Sequence, residues 1–216
     1  MIDAVVFDWR GTLVTCLSTV EWMAEALRLL GREDSPEALW QRISVYEDLL
    51  DAPGVDSSLA AHHAAYHHVF TQAGVDPALA GALYAVESDP AHNPFADDAA
   101  ECLRAIAATG RRIAVLSDIH FDLRPVFAAA GLADVVDVYA LSYELGVQKP
   151  APEIFRHTLA ALATPPERTL MVGDRATPDG GALAVGMPVL LLPPLRAVSE
   201  RRLHLVTALV GAHPQR

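Results

Sequence analysis

The chain has 216 residues, and 27 acidic against 16 basic side chains give it a formal net charge of −11. That length buries a sizeable core and suits one domain, or one domain carrying an insertion. The acidic balance, with no basic run longer than a pair such as Arg111-Arg112, speaks against nucleic acid as a partner, and no apolar stretch reaches the ~18 residues of a membrane-spanning helix.

Residues Ala4 to Phe7 form a short apolar run that ends in Asp8 and the Gly11-Thr12 pair, the pattern of a buried strand followed by a loop. From about residue 17 to 90 the pattern is helical. Ser18 with Glu21 is a capping box, and Val20, Met23, Ala24, Leu27 and Leu30 recur at helical spacing before Gly31. Ser35-Pro36 predicts the start of a second helix, Asp56 or Ser57 a third, and Asp76-Pro77 a fourth. After Pro94 the elements alternate: helix 97–109, strand 113–116, helix 122–130, strand 135–140, helix 152–163, strand 169–172, helix 180–185, strand 188–192 and a last helix over 199–210. Strands alternating with helices predict an α/β protein whose parallel sheet is covered on both faces. The all-helical block is then an insertion after the first strand.

Cys16 and Cys102 are the only cysteines and lack any C-x-x-C or Cys/His spacing, so reduced thiols are expected rather than a disulfide or zinc framework. The start of the chain has no basic region ahead of an apolar stretch, and a cytoplasmic location is expected. Lys149 is the only lysine beside 15 arginines, as if a compact point charge were wanted there.

In open α/β sheets ligands bind beyond the carboxyl ends of the strands. Reactive groups fall at those ends: Asp8 and Thr12 after the first strand, Ser117 and Asp118 after the second, and Asp174 and Asp179 after the fourth, while Lys149 precedes the helix that Pro152 starts. Several carboxylates brought together repel one another unless a cation intervenes, and Mg²⁺ suits one or two carboxylates plus a substrate phosphate. Asp8 and Asp174 are the natural ligands, with Asp8 also placed to attack as a nucleophile while Ser117, Thr12 and Lys149 hold an anionic group. Each residue also has a plainer reading. Asp8 and Asp174 can cap turns, Asp179 can cap a helix, and Ser117 and Thr12 can satisfy local backbone.

Taken together, D-x-x-G-T at residues 8–12, Ser117, Lys149-Pro150 and G-D-x-x-x-x-D at residues 173–179 resemble the haloacid dehalogenase superfamily over nearly the whole chain. The resemblance implies a Rossmann-like five-stranded parallel sheet ordered 5-4-1-2-3, a core from residues 1–14 and 94–216, and a helical cap from residues 15–93. It implies a small anionic substrate, a covalent intermediate on Asp8, and Mg²⁺ held by Asp8, Asp174, Asp179 and the backbone carbonyl of Arg10. Ser117 and Lys149 would bind the phosphoryl group, with Asp118 and Arg10 as further substrate-binding residues.

Arg10 breaks the pattern. Most phosphatases of the superfamily carry at that position a second aspartate that protonates the leaving alcohol, and a guanidinium cannot exchange protons near neutrality. Asp118, His120 and Asp179 are candidate substitutes, and Arg10 itself is a candidate grip on a substrate carboxylate or phosphate. Haloacid dehalogenases lack that aspartate as well, which makes a metal-free dehalogenase the second reading. Against it, Asp118 stands where those enzymes usually have asparagine, and Gly173-Asp174 is intact. A third reading is a binding or regulatory protein disabled by Arg10. A Schiff-base mechanism like that of phosphonoacetaldehyde hydrolases fails, because the cap has no lysine.

In the cap, His62, His63, His67 and His68 crowd one helix. His63 and His67 have i, i+4 spacing but no H-E-x-x-H motif, and a solvated face overlooking the cavity is expected. Trp22, Trp40, Tyr46 and Tyr66 are expected to pack, and Arg28, Arg32 and Arg42 to be solvated.

Overall fold

The computed structural model describes residues 1–212. Five parallel strands, β1 (Ala4–Phe7), β2 (Arg112–Ser117), β3 (Val138–Leu141), β4 (Thr169–Gly173) and β5 (Val189–Leu191), form one sheet in the order β3-β2-β1-β4-β5. This is the expected order, read from the opposite edge. β1 lies at the centre and is buried on both faces, which is why it reads as an unbroken apolar run rather than an alternation. Val5, Phe7, Ile113, Val115, Leu170 and Val172 face one layer, which includes helices α5 (Ala99–Ala107) and α6 (Arg124–Ala129). Ala4, Val6, Ala114, Leu116 and Met171 face the other, with α8 (Pro152–Leu162) and a 3-10 helix over Asp179–Val185.

Between β1 and α5 the chain builds a separate helical cluster from α1 (Thr19–Leu29), α2 (Pro36–Ile43), α3 (Leu59–Gln72) and α4 (Pro77–Glu87). Its apolar centre, from Met23, Leu27, Ile43, Phe70 and Leu83, draws only on these helices and their neighbours. Trp22, Trp40, Tyr46 and Tyr66 pack against it. The helix starts follow capping chemistry. Ser18 and Glu21 close the capping box, and the side chains of Ser35, Ser58 and Asp76 accept from backbone N–H groups of the next three helices.

Several elements differ from the sequence reading, beginning with β3, which starts at Val138 rather than at 135. Helix α3 starts at Leu59 under a Ser58 cap because Val55–Ser57 forms a 3-10 turn. The segment expected as a helix over 180–185 is the 3-10 helix, tightened by the Gly180-Gly181 pair and ended at Gly186 with φ 87°. A single-turn helix, α7 (Ser142–Leu145), follows β3, and the last helix, α9 (His204–Val210), starts five residues later than expected.

Among the described residues, no helix is long and apolar enough to cross a membrane.

Candidate active site

Parallel pairing brings the strand ends to one edge. Phe7 is in register with Val115 of β2 and Val172 of β4, so the residues that follow these strands emerge together. Successive side chains point to opposite faces. Trp9 therefore drives into the core against Phe95 and Phe127, with ring centroids 5.2 and 5.3 Å away, while Asp8 faces the edge. The chain then turns at Gly11, φ 78°, and the Arg202 guanidinium ties down the turn by donating to the carbonyls of Gly11 and Thr12 at 3.2 and 2.8 Å.

One carboxylate oxygen from each of Asp8, Asp174 and Asp179 lies within 4.8 Å of the other two. Lys149 Nζ donates to Asp8 Oδ1 and to Asp179 Oδ1, both at 2.6 Å, and its backbone N–H donates to Asp118 Oδ1 at 2.8 Å. The Thr12 hydroxyl reaches Asp174 Oδ1 at 3.2 Å and Asp8 Oδ2 at 3.4 Å; with one proton it serves one of them at a time. The second oxygen of Asp179 accepts from the backbone N–H groups of Asp174 and Arg175 at 3.0 and 2.9 Å. Two glycines make this approach possible. A Cβ on Gly11 would lie 2.5 Å from Asp174 Oδ2, and one on Gly173 would lie 2.2 Å from the Asp179 carboxyl carbon.

Burial pushes the Asp8 carboxyl up, to about 7, against the pull of Lys149 and with the push of Asp179 and Asp174. Burial also raises Asp174, helped by Asp179, and raises Asp118 against the pull of Lys149. Burial works against the Lys149 ammonium, but Asp8, Asp179 and Asp118 outweigh it and hold the lysine firmly charged. Three converging carboxylates thus face a single ammonium, an imbalance that a hard divalent cation would offset. The donor set fits such an ion.

Ser117 and Asp118 line a 160 Å³ cavity with Asp8, Arg10 and Lys149, and an adjoining 820 Å³ cleft shares Asp118, Lys149 and Arg175 with it. The structure therefore brings together all eight residues singled out in the sequence, but Arg10 is held in a particular way. Its guanidinium pairs with the Glu87 carboxylate, donates to the Glu87 carbonyl at 2.8 Å and donates to Asn93 Oδ1 at 3.3 Å. Of the candidate proton donors, His120 Nε2 lies 2.9 Å from Ser88 Oγ, Asp179 is fully buried and bonded, and Asp118 faces the cavity.

Asp51, Asp56, His62, Tyr66, Glu87 and Arg175 also line the smaller cavity. Sequence reasoning missed them as site residues; Arg175, next to Asp174, carried a positional signal, but Glu87, which pairs 77 positions from Arg10, carried none. In the histidine run His62 is the buried member, not part of a solvated face, whereas the His63 and His67 rings lie 4.1 Å apart, tilted by 31°. Arg28 pairs with Glu25, Arg32 with Asp76, and Arg42 donates to the carbonyls of Ala73 and Gly74.

The family model of haloacid dehalogenase-like hydrolases matches residues 2–186. The chain belongs to the haloacid dehalogenase-like hydrolases. Among curated members, it is 31% identical over 150 residues to the phosphoserine phosphatase of Thermus thermophilus, a match covering 66% of this chain and 57% of that enzyme. It is 28% identical over 193 residues to (S)-2-haloacid dehalogenase 4A of Burkholderia cepacia, covering 84% and 80% of the two chains. Similar folds include a haloacid dehalogenase-type phosphatase from Thermococcus onnurineus (TM-score 0.66, 21% identity, 99% and 100% covered) and the L-2-haloacid dehalogenase of Xanthobacter autotrophicus (TM-score 0.68, 24% identity, 100% and 85% covered). Phosphatases and dehalogenases thus both stand among the relatives of this hydrolase.

Proposed function

We propose that this hydrolase is a Mg²⁺-dependent phosphatase that acts on a small phosphorylated metabolite through a covalent intermediate on Asp8. The observation that carries the reading is the convergence of Asp8, Asp174 and Asp179 on one point with only Lys149 to offset them. Asp8, Asp174, Asp179 and the Arg10 carbonyl would hold Mg²⁺, which when bound offsets the charge of the phosphoryl group and orients it.

In this reading one Asp8 oxygen attacks phosphorus, and the bond between phosphorus and the leaving oxygen breaks. Lys149 and Ser117 hold the phosphoryl oxygens during the transfer. The departing alkoxide takes a proton from solvent, since Arg10 cannot supply one. Water then attacks the phosphorus of the acyl phosphate, releasing inorganic phosphate and restoring the Asp8 carboxylate. Residues 15–93 would act as the cap over this chemistry, with residues 1–14 and 94–216 as the core.

A panel of phosphate esters with Mg²⁺ tests the proposal. Turnover is expected to fall by more than about a thousandfold in Asp8→Asn. Undiminished turnover in that variant would remove Asp8 from the reaction. Arg10 favours one second reading, a dehalogenase in which halide departs unprotonated. Release of halide from short 2-haloacids in EDTA, with no phosphatase activity, would establish that reading instead.

A further inference from the structure

A second group of ionisable side chains meets where the helical cluster touches the loop after β2. Asp56 comes from the 3-10 turn before α3, His62 from the start of α3, Glu87 from the last position of α4, and His120 from the loop. His62 Nε2 lies 3.7 Å from Asp56 Oδ1 and 3.7 Å from Glu87 Oε2, and His120 Nε2 lies 3.3 Å from the same Glu87 oxygen. The ligating atoms of Asp56, His62 and His120 all fall within 4.8 Å of one another. Bonds of roughly 2.0–2.2 Å around a tetrahedral zinc ion require ligand separations of about 3.3–3.6 Å, so little movement separates this arrangement from a coordination shell.

The hydrogen bonds leave the carboxylate end of the convergence unsatisfied: Glu87 Oε2 is buried without a partner on a side chain that is 9% exposed, while His120 Nε2 lies 2.9 Å from Ser88 Oγ, a contact that an ion would replace. A carboxylate oxygen at that depth is costly unless something binds it. Arg10 holds only the other Glu87 oxygen, which leaves Oε2 aimed at the two imidazoles. Burial keeps both imidazoles neutral, the form that ligates a metal. Tyr84 lies with its hydroxyl 3.2 Å from His62 Nδ1, where it orients the ring from behind. The His62 and His120 rings stack with centroids 3.5 Å apart and planes 13° apart, which keeps the two imidazoles side by side.

We propose that Asp56, His62, Glu87 and His120 form a site for one divalent transition-metal ion of the zinc type, separate from the Asp8, Asp174 and Asp179 cluster. Two imidazoles with carboxylates favour zinc-like ions over Mg²⁺. Three ligands belong to the helical segment and the fourth to the loop after β2, so the ion fastens the helices over the sheet edge.

The test is a Zn²⁺ titration of the full chain, stripped of metal and kept in excess Mg²⁺. The expected result is one zinc per chain, kept in Asp174→Asn and in a His63→Gln/His67→Gln variant, and weakened more than about tenfold in His62→Gln and in His120→Gln. Zinc-edge X-ray absorption on the wild-type chain, which depends on no variant folding, is expected to show scattering from two imidazoles. The proposal is overturned by no tight binding, by equal binding in the His62 and His120 variants, by loss of zinc in either control variant, or by a spectrum with carboxylate ligands alone.

Discussion

A methyl group at position 173 would lie 2.2 Å from the Asp179 carboxyl carbon and 2.6 Å from its Cβ, and Asp179 is fully buried with Lys149 bound to it. Gly173→Ala is therefore expected to destabilise the chain by at least the ~1–3 kcal/mol of an overpacked core, read by urea denaturation. A stability within a few tenths of a kcal/mol of the wild type would show that Asp179 can move aside. Arg10 supports a second prediction at this scale. If solvent protonates the leaving group, turnover of aryl phosphates should rise steeply with the acidity of the leaving phenol, and a flat dependence would reveal an internal acid. Restoring an acid by Arg10→Asp alone would strand the buried Glu87 without its cation, so the informative variant is Arg10→Asp with Glu87→Gln, in which the dependence should flatten. Asp8, Asp174 and Lys149 were legible because each follows or precedes a regular element in a recognisable motif. The Arg10–Glu87 pair was not, because no local pattern links a loop after β1 to the end of α4.

Among the elements, the helix starts were the most legible, since a cap is written in three or four consecutive residues. Ser18-Glu21, Ser35-Pro36 and Asp76-Pro77 all mark observed starts. The reading slipped where a competing turn occupies the signal. Asp56 and Ser57 look like caps but sit in a 3-10 turn held by Gln148, whose Oε1 accepts from the N–H groups of Gly54 and Asp56 at 2.8 and 3.1 Å. Four-residue α7 is shorter than any hydrophobic period can reveal. At the start of α4, hydrogen bonds from Arg32 and from the backbone N–H groups of Leu79 and Ala78 hold the Asp76 carboxyl down to about 2, below its ordinary 3.8. A depressed folded-state value means that this contribution is complete above the ordinary value and is lost as pH falls through 3.8 toward 2. In Asp76→Asn, thermal stability should change less over that window than in the wild type. Parallel pH profiles for the two proteins would contradict the assignment.

In the whole molecule, the helical cluster and the sheet edge meet over one cavity, and the proposed function depends on that meeting. Polar ties cross between them, among them Arg10 with Glu87, Gln148 with the 54–56 turn, Arg175 with Asp51, and His120 with Ser88 and Glu87. Alternation of strands and helices made the parallel sheet readable, whereas its order was implied only by the resemblance that the motifs carry. How the helices would sit on it was unreadable, because those ties join residues from 32 to 124 positions apart. The covalent intermediate on Asp8 is read by acid quench of the chain during turnover of a labelled phosphate ester with Mg²⁺, followed by peptide mass spectrometry. A phosphoryl group is expected on the peptide containing Asp8, decaying on chase with unlabelled substrate and missing from Asp8→Asn. A phosphoryl group on any other residue, or full turnover in Asp8→Asn with none trapped at all, would contradict it.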